Sequence, residues 1–139
     1  MLGPRVRDAL IALTPDHAAR AIDDLARLYD DAMVFRDPIQ EVRGLEAFVE
    51  MNRRLLGRMR GLTWDVVSVH GDEHEAVLEW TMTGVLRLGP QLQVSGVTRV
   101  RARGGLIVDH RDYWDLGEMF ASAVPGGQRL LQLLRRPFA

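Results

Sequence analysis

The hydrophobic period of this chain changes once, near residue 58, from a helical spacing to a strand-like alternation. Apolar residues then alternate over four segments, 62–69, 74–88, 91–102 and 106–114. The segments are separated by His-Gly-Asp-Glu, Gly-Pro and Arg-Gly-Gly, which are typical turn sequences. Four consecutive strands joined by tight turns predict an antiparallel meander, one face of which must be buried against other elements.

Helical patterns lie on both sides of this meander. Helices are predicted over 4–13, 14–32 and 44–57 before it, and over 115–124 and 127–136 after it. A short strand, 33–38, ends at a proline. We therefore expect an α+β fold in which helices pack on one face of a strongly curved antiparallel sheet and enclose an apolar pocket. We expect one domain over 1–139, with 116–139 as a helical C-terminal tail.

Composition excludes several classes of chemistry. All eighteen basic residues are arginine and there is no cysteine, which excludes lysine Schiff bases, thiol nucleophiles and disulfides. The net charge is −1, with no basic stripe, so no nucleic-acid partner is expected. There is no apolar run of about 18 residues and no secretory signal pattern, so we expect no membrane insertion and a cytoplasmic location.

The predicted strand 106–114 carries two ionisable side chains on its more apolar face. Strand alternation places His110, Asp112 and Trp114 on that face with Leu106 and Val108. The opposite face carries Ile107, Asp109, Arg111 and Tyr113. Because an unpaired buried charge costs several kcal/mol, a histidine and a carboxylate facing the core require partners or a shifted pKa.

Three interpretations of His110 and Asp112 are open. They form a structural pair, or an acid–base site in an apolar setting, or part of a metal site. The metal site is the weakest of the three because no third ligand is in view, so no metal is expected. Asp37 shares a strand face with Met33 and Phe35, which favours an acid–base role for it, although Asp before proline is also a common turn acceptor.

The run "LARLYDDAMVFRDPIQEVRGLEAFVEM", followed by "VLEWTMTGVL" and "VSGVTRVRARGGLIVDHRDYWD", resembles the NTF2-like superfamily, and within it the SnoaL-like group. Polyketide cyclases, ketosteroid isomerase and limonene-epoxide hydrolase are related to that group. By this resemblance, Asp37 matches the general base of the isomerase, and Asp112 matches an acid–base carboxylate of the hydrolase and the cyclases. The first helix lacks the tyrosine of the isomerase, and Glu79-Trp80-Thr81 stands where the hydrolase has its Arg-x-Asp pair.

The resemblance implies a protein that binds a small hydrophobic molecule. The first hypothesis is an enzyme of the isomerase, cyclase or hydratase type that needs no metal or organic cofactor. Asp37 would be its base, and Asp112 or His110 its acid. The implied substrate-binding residues are Tyr29, Phe35, Trp80, Met82 and Trp114. The alternative is a non-catalytic ligand-binding or protein-association module. Homodimerisation through the outer sheet face is expected in either case.

Three local questions stay open at this stage. Alternation turns Trp80 and Met82 inward, whereas the resemblance turns Glu79 and Thr81 inward. The segment "QRLLQLLRR" is interpreted as a helix that closes one end of the pocket, with a membrane-surface helix as the alternative. Tyr29 is placed at the end of a helix, with its ring in the core and its hydroxyl in water. Asp115 with Glu118 predicts a capping box.

Overall fold

The computed structural model describes residues 1–138, and within that range it contains five α-helices and six strands. In chain order they are α1 (Leu2–Ala12), α2 (Ala18–Ala26), β1 (Tyr29–Arg36), β2 (Glu41–Arg43), α3 (Leu45–Arg58), β3 (Met59–Gly71), β4 (Glu75–Leu86), β5 (Gln91–Arg103), β6 (Leu106–Trp114), α4 (Leu116–Ala123) and α5 (Gly127–Arg135). Short 3-10 turns lie at Pro15–His17 and Arg136–Phe138. The predicted α+β class is confirmed.

The six strands form one curved, open sheet in the order β2-β1-β6-β5-β4-β3. Strands β3 to β6 make the predicted antiparallel meander. Strand β1, however, pairs with β6 in parallel, with Phe35 opposite His110. The sheet is therefore mixed rather than wholly antiparallel. Alternation within single strands does not report this pairing, because β1 and β6 are separated along the chain by α3 and four strands.

The boundary between α2 and β1 differs from the prediction. The helix was expected to continue to residue 32, but α2 ends at Ala26 and Tyr29 begins β1. The carbonyl of Leu28 accepts a hydrogen bond of 2.8 Å from the amide of Ile107 on β6. Pairing with β6 thus competes with the continuation of the helix, and it turns the Tyr29 ring into the core, where the residue is 3 % exposed.

A bulge in β6 shifts the predicted faces of that strand. Ala102 pairs with Ile107 and Arg101 pairs with Asp109, so Val108 is an extra residue in β6. Ile107 is fully buried, whereas Leu106 is exposed. The expectation that Leu106 and Val108 would occupy the core face was therefore wrong, because the bulge reverses the alternation before residue 109.

Helices α1, α2 and α3 cover the inner face of the sheet and form the core with it. The buried apolar residues from these helices include Val6, Leu10, Ile22, Leu25, Phe48 and Leu56. On β4, Trp80 and Met82 are buried while Glu79 is exposed, and the Thr81 hydroxyl lies 2.9 Å from that of Ser95. Alternation therefore decides the facing of β4, and Trp80 and Met82 point inward.

Helix α4 covers a free edge of β5. Strand β6 ends opposite Gly96, so the preceding part of β5 has no strand neighbour on that side. The Ser122 hydroxyl accepts a hydrogen bond of 3.0 Å from the amide of Gln93, and a Glu118 carboxylate oxygen accepts one of 3.2 Å from the amide of Ser95. Side chains of α4 thus replace the missing ladder partners.

The predicted capping box forms only by half. Asp115 caps α4 by accepting a hydrogen bond of 3.1 Å from the amide of Glu118. The Glu118 side chain does not return to the cap residue, because it is used on the β5 edge.

Helix α5 is amphipathic but has no buried residue. Leu131 lies beside Gly117 of α4, whereas Leu130, Leu133 and Leu134 are each more than half exposed. No helix within residues 1–138 is both long enough and apolar enough to cross a bilayer.

Replacement of the α4 cap has a predictable effect on stability. Asp115→Ala is expected to lower the free energy of unfolding by about 1 kcal/mol, because the Glu118 amide loses its acceptor at the helix start. Asp115→Asn keeps an acceptor and should remain close to wild type. Urea denaturation of both variants measures the difference, and equal losses would contradict a capping role.

Candidate functional site

A cavity of about 1180 Å³ lies between α3 and the inner face of the sheet. All three tryptophans of the chain line it, together with Met51, Leu55, Met59, Leu86, Leu92 and Val94. The eight residues predicted for the site also line it, namely Tyr29, Phe35, Asp37, Trp80, Met82, His110, Asp112 and Trp114. No α5 residue of the described chain does so. The interpretation of α5 as a helix that closes the pocket was therefore wrong.

Five side chains along one wall of the cavity form a continuous row of hydrogen bonds. The Tyr29 hydroxyl lies 2.7 Å from His110 Nδ1, and His110 Nε2 lies 2.8 Å from Asp112 Oδ1. From the other side, Trp80 Nε1 donates to the Thr98 hydroxyl at 2.8 Å, and that hydroxyl donates to Asp112 Oδ1 at 2.6 Å. The two halves of the row meet at the same carboxylate oxygen.

The direction of the row follows from its donors and acceptors. Burial of the Tyr29 hydroxyl, and then the negative charge of Asp112, raise the pKa of Tyr29 above its ordinary value of 10.0. The phenol therefore stays protonated, and when it donates to His110 Nδ1 the imidazole proton lies on Nε2, facing Asp112. In this arrangement every hydrogen bond in the row points toward the Asp112 carboxylate, and both bonds to it use Oδ1.

Burial distinguishes Asp112, in the middle of this row, from the other members, which are more deeply buried. Tyr29 and His110 are each 3 % exposed, and the imidazole ring lies 4.9–5.9 Å, centroid to centroid, from the rings of Tyr29, Phe35 and Phe48. The Asp112 side chain is 15 % exposed. The expectation of a solvated Tyr29 hydroxyl was wrong, because the hydroxyl is enclosed and bonded to His110. Among Tyr29, His110 and Asp112, the Asp112 side chain is the most exposed and therefore the most accessible to a molecule in the cavity.

Asp37 lies on the cavity wall but outside this row. Its Oδ1 accepts hydrogen bonds from the amides of Ile39 and Gln40, at 2.8 and 2.9 Å. These bonds give Asp37 the turn-stabilising role that was its alternative interpretation. The catalytic role of Asp37 stays a prediction, since a carboxylate oxygen used in a turn and a catalytic function are not mutually exclusive.

Two residues of β5 that shape the site were not identified from the sequence. Thr98 is 1 % exposed and stands opposite Asp112 across the β5–β6 ladder. The sequence pattern could have identified Thr98, because it is the single hydroxyl residue on the inner face of β5 between Val94 and Val100. Gly96 leaves room for the Trp80 ring, because a Cβ at that position would lie 2.6 Å from Trp80 Cη2.

Helix α3 also contributes a buried polar side chain to the cavity. Asn52 is 6 % exposed, and its Nδ2 donates to the Phe48 carbonyl at 2.9 Å. Among residues 1–138, no group of three or more His, Asp or Glu side chains is arranged to hold a metal ion.

Comparison with known families places this site in context. Residues 10–110 match the family described as SnoaL-like domain. The chain belongs to this family. A comparison with curated proteins gives no match. The resemblance derived from the sequence is thus confirmed at the level of the family and of the NTF2-like fold.

Solved structures share the fold at low sequence identity. An uncharacterised protein from Catenulispora acidiphila DSM 44928, with a ketosteroid isomerase-like fold and in complex with trimethylamine, has a TM-score of 0.75 at 18% identity, covering 88% of this chain and 95% of that one. An LEH-like epoxide hydrolase from M. tuberculosis has a TM-score of 0.69 at 20% identity, covering 97% and 98%. A protein assigned as a SnoaL-like polyketide cyclase, from Jannaschia sp. CCS1, has a TM-score of 0.69 at 17% identity, covering 88% and 93%. At these identities the likeness concerns the fold alone.

The Tyr29–His110 bond is testable through stability and tautomer. Tyr29→Phe is expected to lower the free energy of unfolding at neutral pH by about 1–3 kcal/mol, because it leaves a buried imidazole nitrogen without its donor. Urea denaturation measures the loss, and nitrogen NMR of the His110 ring reports the change in its Nε2–H form. Tyr113→Phe, at an exposed position, is the matched control and should cost less than about 0.5 kcal/mol.

The same tyrosine predicts a pH dependence at the alkaline end. The pKa of Tyr29 is raised in the folded state, so its contribution to stability is complete below 10.0 and falls as pH rises above that value. Tyr29→Phe should remove this part of the alkaline decline. An identical alkaline decline in both proteins would contradict burial of an un-ionised Tyr29.

Proposed function

We propose that this chain is a cofactor-independent acid–base enzyme of the isomerase, cyclase or hydratase type, acting on a small hydrophobic molecule. The observation that carries this proposal is the row of hydrogen bonds that converges on Asp112 at the cavity wall. We assign Asp112 as the base, His110 and Thr98 as the residues that position it, and Tyr29 as the group that fixes the His110 tautomer.

The geometry supports a proton transfer at Asp112. Hydrogen bonds from His110 and Thr98 hold Oδ1 and stabilise the ionised carboxylate, while Oδ2 has no role in either bond. In the proposed step, Oδ2 takes a proton from an acidic C–H or from a water molecule, and the electron pair stays on the substrate or on the attacking oxygen. The neutral carboxyl then returns the proton to a second substrate atom, so an isomerisation or ring closure is balanced without any other reactant.

The walls of the cavity support a hydrophobic substrate. Phe35, Met82 and Trp114 line it beside the row, and the aromatic rings around His110 keep water away from the imidazole. An apolar enclosure strengthens the electrostatic interactions of the reacting carboxylate. Epoxide hydrolase and polyketide cyclase among the structural neighbours are consistent with proton-transfer chemistry in such a cavity, although they do not indicate the substrate.

Hydrogen–deuterium exchange tests the base without knowledge of the natural substrate. The wild-type protein is expected to accelerate exchange of the acidic C–H protons of 2-tetralone in D₂O, followed by proton NMR. Asp112→Asn should reduce the enzymatic rate by roughly 100-fold or more, the usual contribution of a general base. Asp37→Asn is the discriminating variant, because loss of exchange in Asp37→Asn with exchange retained in Asp112→Asn would transfer the role to Asp37 and contradict the assignment.

A non-catalytic ligand-binding module is the second candidate function. It is favoured by the fact that both hydrogen bonds of Asp112 are made with side chains of the protein, those of His110 and Thr98, as expected for a carboxylate with a purely structural role. In that case 2-tetralone would bind without exchange in the wild-type protein. Asp112→Asn would then only destabilise the fold, by a few kcal/mol for a buried hydrogen-bonded charge.

We also propose that the outer face of the sheet mediates homodimerisation. Tyr113 is 44 % exposed on this face, and the Arg111 guanidinium lies 4.8 Å from the centre of its ring. Aromatic and arginine side chains of this kind are enriched in interfaces. Tyr113→Glu is expected to convert a dimer into a monomer in light scattering after size exclusion. Ile11→Glu, which places the same charge on exposed α1, is the control and should leave the dimer intact; a monomeric wild-type protein would refute the proposal.

A further inference from the structure

The charged residues that line the cavity on β2 and α3 differ in whether they form ion pairs. Glu50 pairs with Arg53 and Arg54, at 2.8 and 3.3 Å, and Glu41 pairs with Arg43 at 3.3 Å. Each of these acids is therefore neutralised by a neighbouring arginine. Within the described part of the chain, Arg58 is the cavity-lining arginine that has no acidic partner.

Arg58 is the last residue of α3; it is exposed to solvent and also lines the cavity. Met59, directly after it, is buried, and both residues line the cavity together with Leu86. Arg87 donates through Nε to the Gly57 carbonyl at 2.9 Å, and through its amide to the Arg58 carbonyl at 3.0 Å. Arg87 thus donates to both carbonyls at the end of α3, and it adds a second positive charge beside Arg58.

Three cavity-lining acids have no ion pair within residues 1–138: Asp37 lies in the turn between β1 and β2, and Asp31 and Glu46 lie near the start of α3. Glu46 lies in the first helical turn, where the positive end of the helix dipole stabilises a carboxylate. Asp31 is exposed on β1, near the residue that precedes the helix, since the Gly44 amide donates to the Met33 carbonyl. The two ends of α3 therefore differ in charge, and the end marked by Arg58 is positive.

The helix also gives the spacing between Arg58 and a residue that packs beside the hydrogen-bonded row. The ring of Phe48 lies 5.8 Å from that of His110, and Arg58 follows ten residues later on the same helix. At 1.5 Å per residue, Phe48 and Arg58 are about 15 Å apart along the axis of α3. The lining includes the apolar residues Met51, Leu55, Met59, Met82, Leu86 and Val94; the polar Asn52 and the Glu50–Arg54 ion pair lie on the same stretch of α3.

We propose that the substrate is an amphipathic monoanion whose apolar body lies along α3 and whose carboxylate-type group is bound by Arg58. This inference rests on the proposed binding of a hydrophobic molecule in the cavity and adds its class and orientation. An arginine guanidinium prefers such a group because it offers several donors in one plane to two acceptor oxygens. The reacting part of the molecule then lies at Asp112, remote from the anionic group.

Competition between ligands with and without a charge tests this inference. The reporter is N-phenyl-1-naphthylamine, excited by energy transfer from tryptophan; because Trp64, Trp80 and Trp114 all line the cavity, the signal reports on a dye bound there. Decanoate is expected to displace the dye at concentrations about three- to tenfold lower than decanol, the ratio given by about one ordinary hydrogen bond at a solvent-exposed arginine. High salt should reduce this preference.

The preference should depend on Arg58 in particular. Arg58→Gln is expected to make decanoate and decanol equal competitors while leaving decanol displacement unchanged. Arg60→Gln removes the same charge two residues away, from an exposed side chain that does not line the cavity, and should retain the preference. Equal competition in the wild-type protein, or an equal loss in both variants, would overturn the inference but leave hydrophobic binding in place. Failure of the dye and of both ligands to bind would instead contradict the proposed function itself.

Discussion

The arrangement of this site depends on one oxygen atom of a partly buried carboxylate, Oδ1 of Asp112. A carboxylate removed from water costs several kcal/mol unless its lost hydration is replaced. Here His110 and Thr98 replace it from opposite sides, at 2.8 and 2.6 Å. Each of these donors is itself held by an aromatic side chain, Tyr29 or Trp80. The hydrophobic core thus supplies both the burial that makes the charge costly and the donors that offset the cost.

The register of the sheet brings these donors together. Parallel pairing of β1 with β6 sets Phe35 opposite His110, and antiparallel pairing of β5 with β6 sets Thr98 opposite Asp112. The bulge at Val108 keeps Ile107 in the core before this point, so that the inward positions resume at His110. Without the bulge, a buried Ile107 would turn His110 and Asp112 to the outer face. The irregularity is therefore a condition for the site.

The sequence was sufficient to predict the features that depend on the hydrophobic periodicity of neighbouring residues. Turn sequences divided the meander correctly, and His110, Asp112 and Trp114 face inward as expected, although Leu106 and Val108, on which that expectation rested, do not occupy the core face. The facing of Trp80 and Glu79 stayed open in the sequence because alternation and the family resemblance disagreed. The sequence could not predict what depends on pairing between distant segments, such as the parallel β1–β6 contact or the bulge. Tyr29 illustrates the limit. Its sequence neighbours favour a helix end, and only the bond of Leu28 to β6 makes it the first residue of a strand, with its hydroxyl in reach of His110.

Helix α3 links the proposed reacting group to the proposed recognition of charge. Phe48 near one end packs beside His110, and Arg58 at the other end lines the cavity. Because the helix is rigid, the separation between these positions is set by the number of residues between them and not by side-chain flexibility. A change of one turn in its length would shift Arg58 by about 5 Å relative to Asp112, while the hydrogen-bonded row on the sheet would keep its geometry. Under the proposed function, the sheet would therefore determine where a proton is transferred, and α3 would determine which molecules are long enough to reach both Asp112 and Arg58.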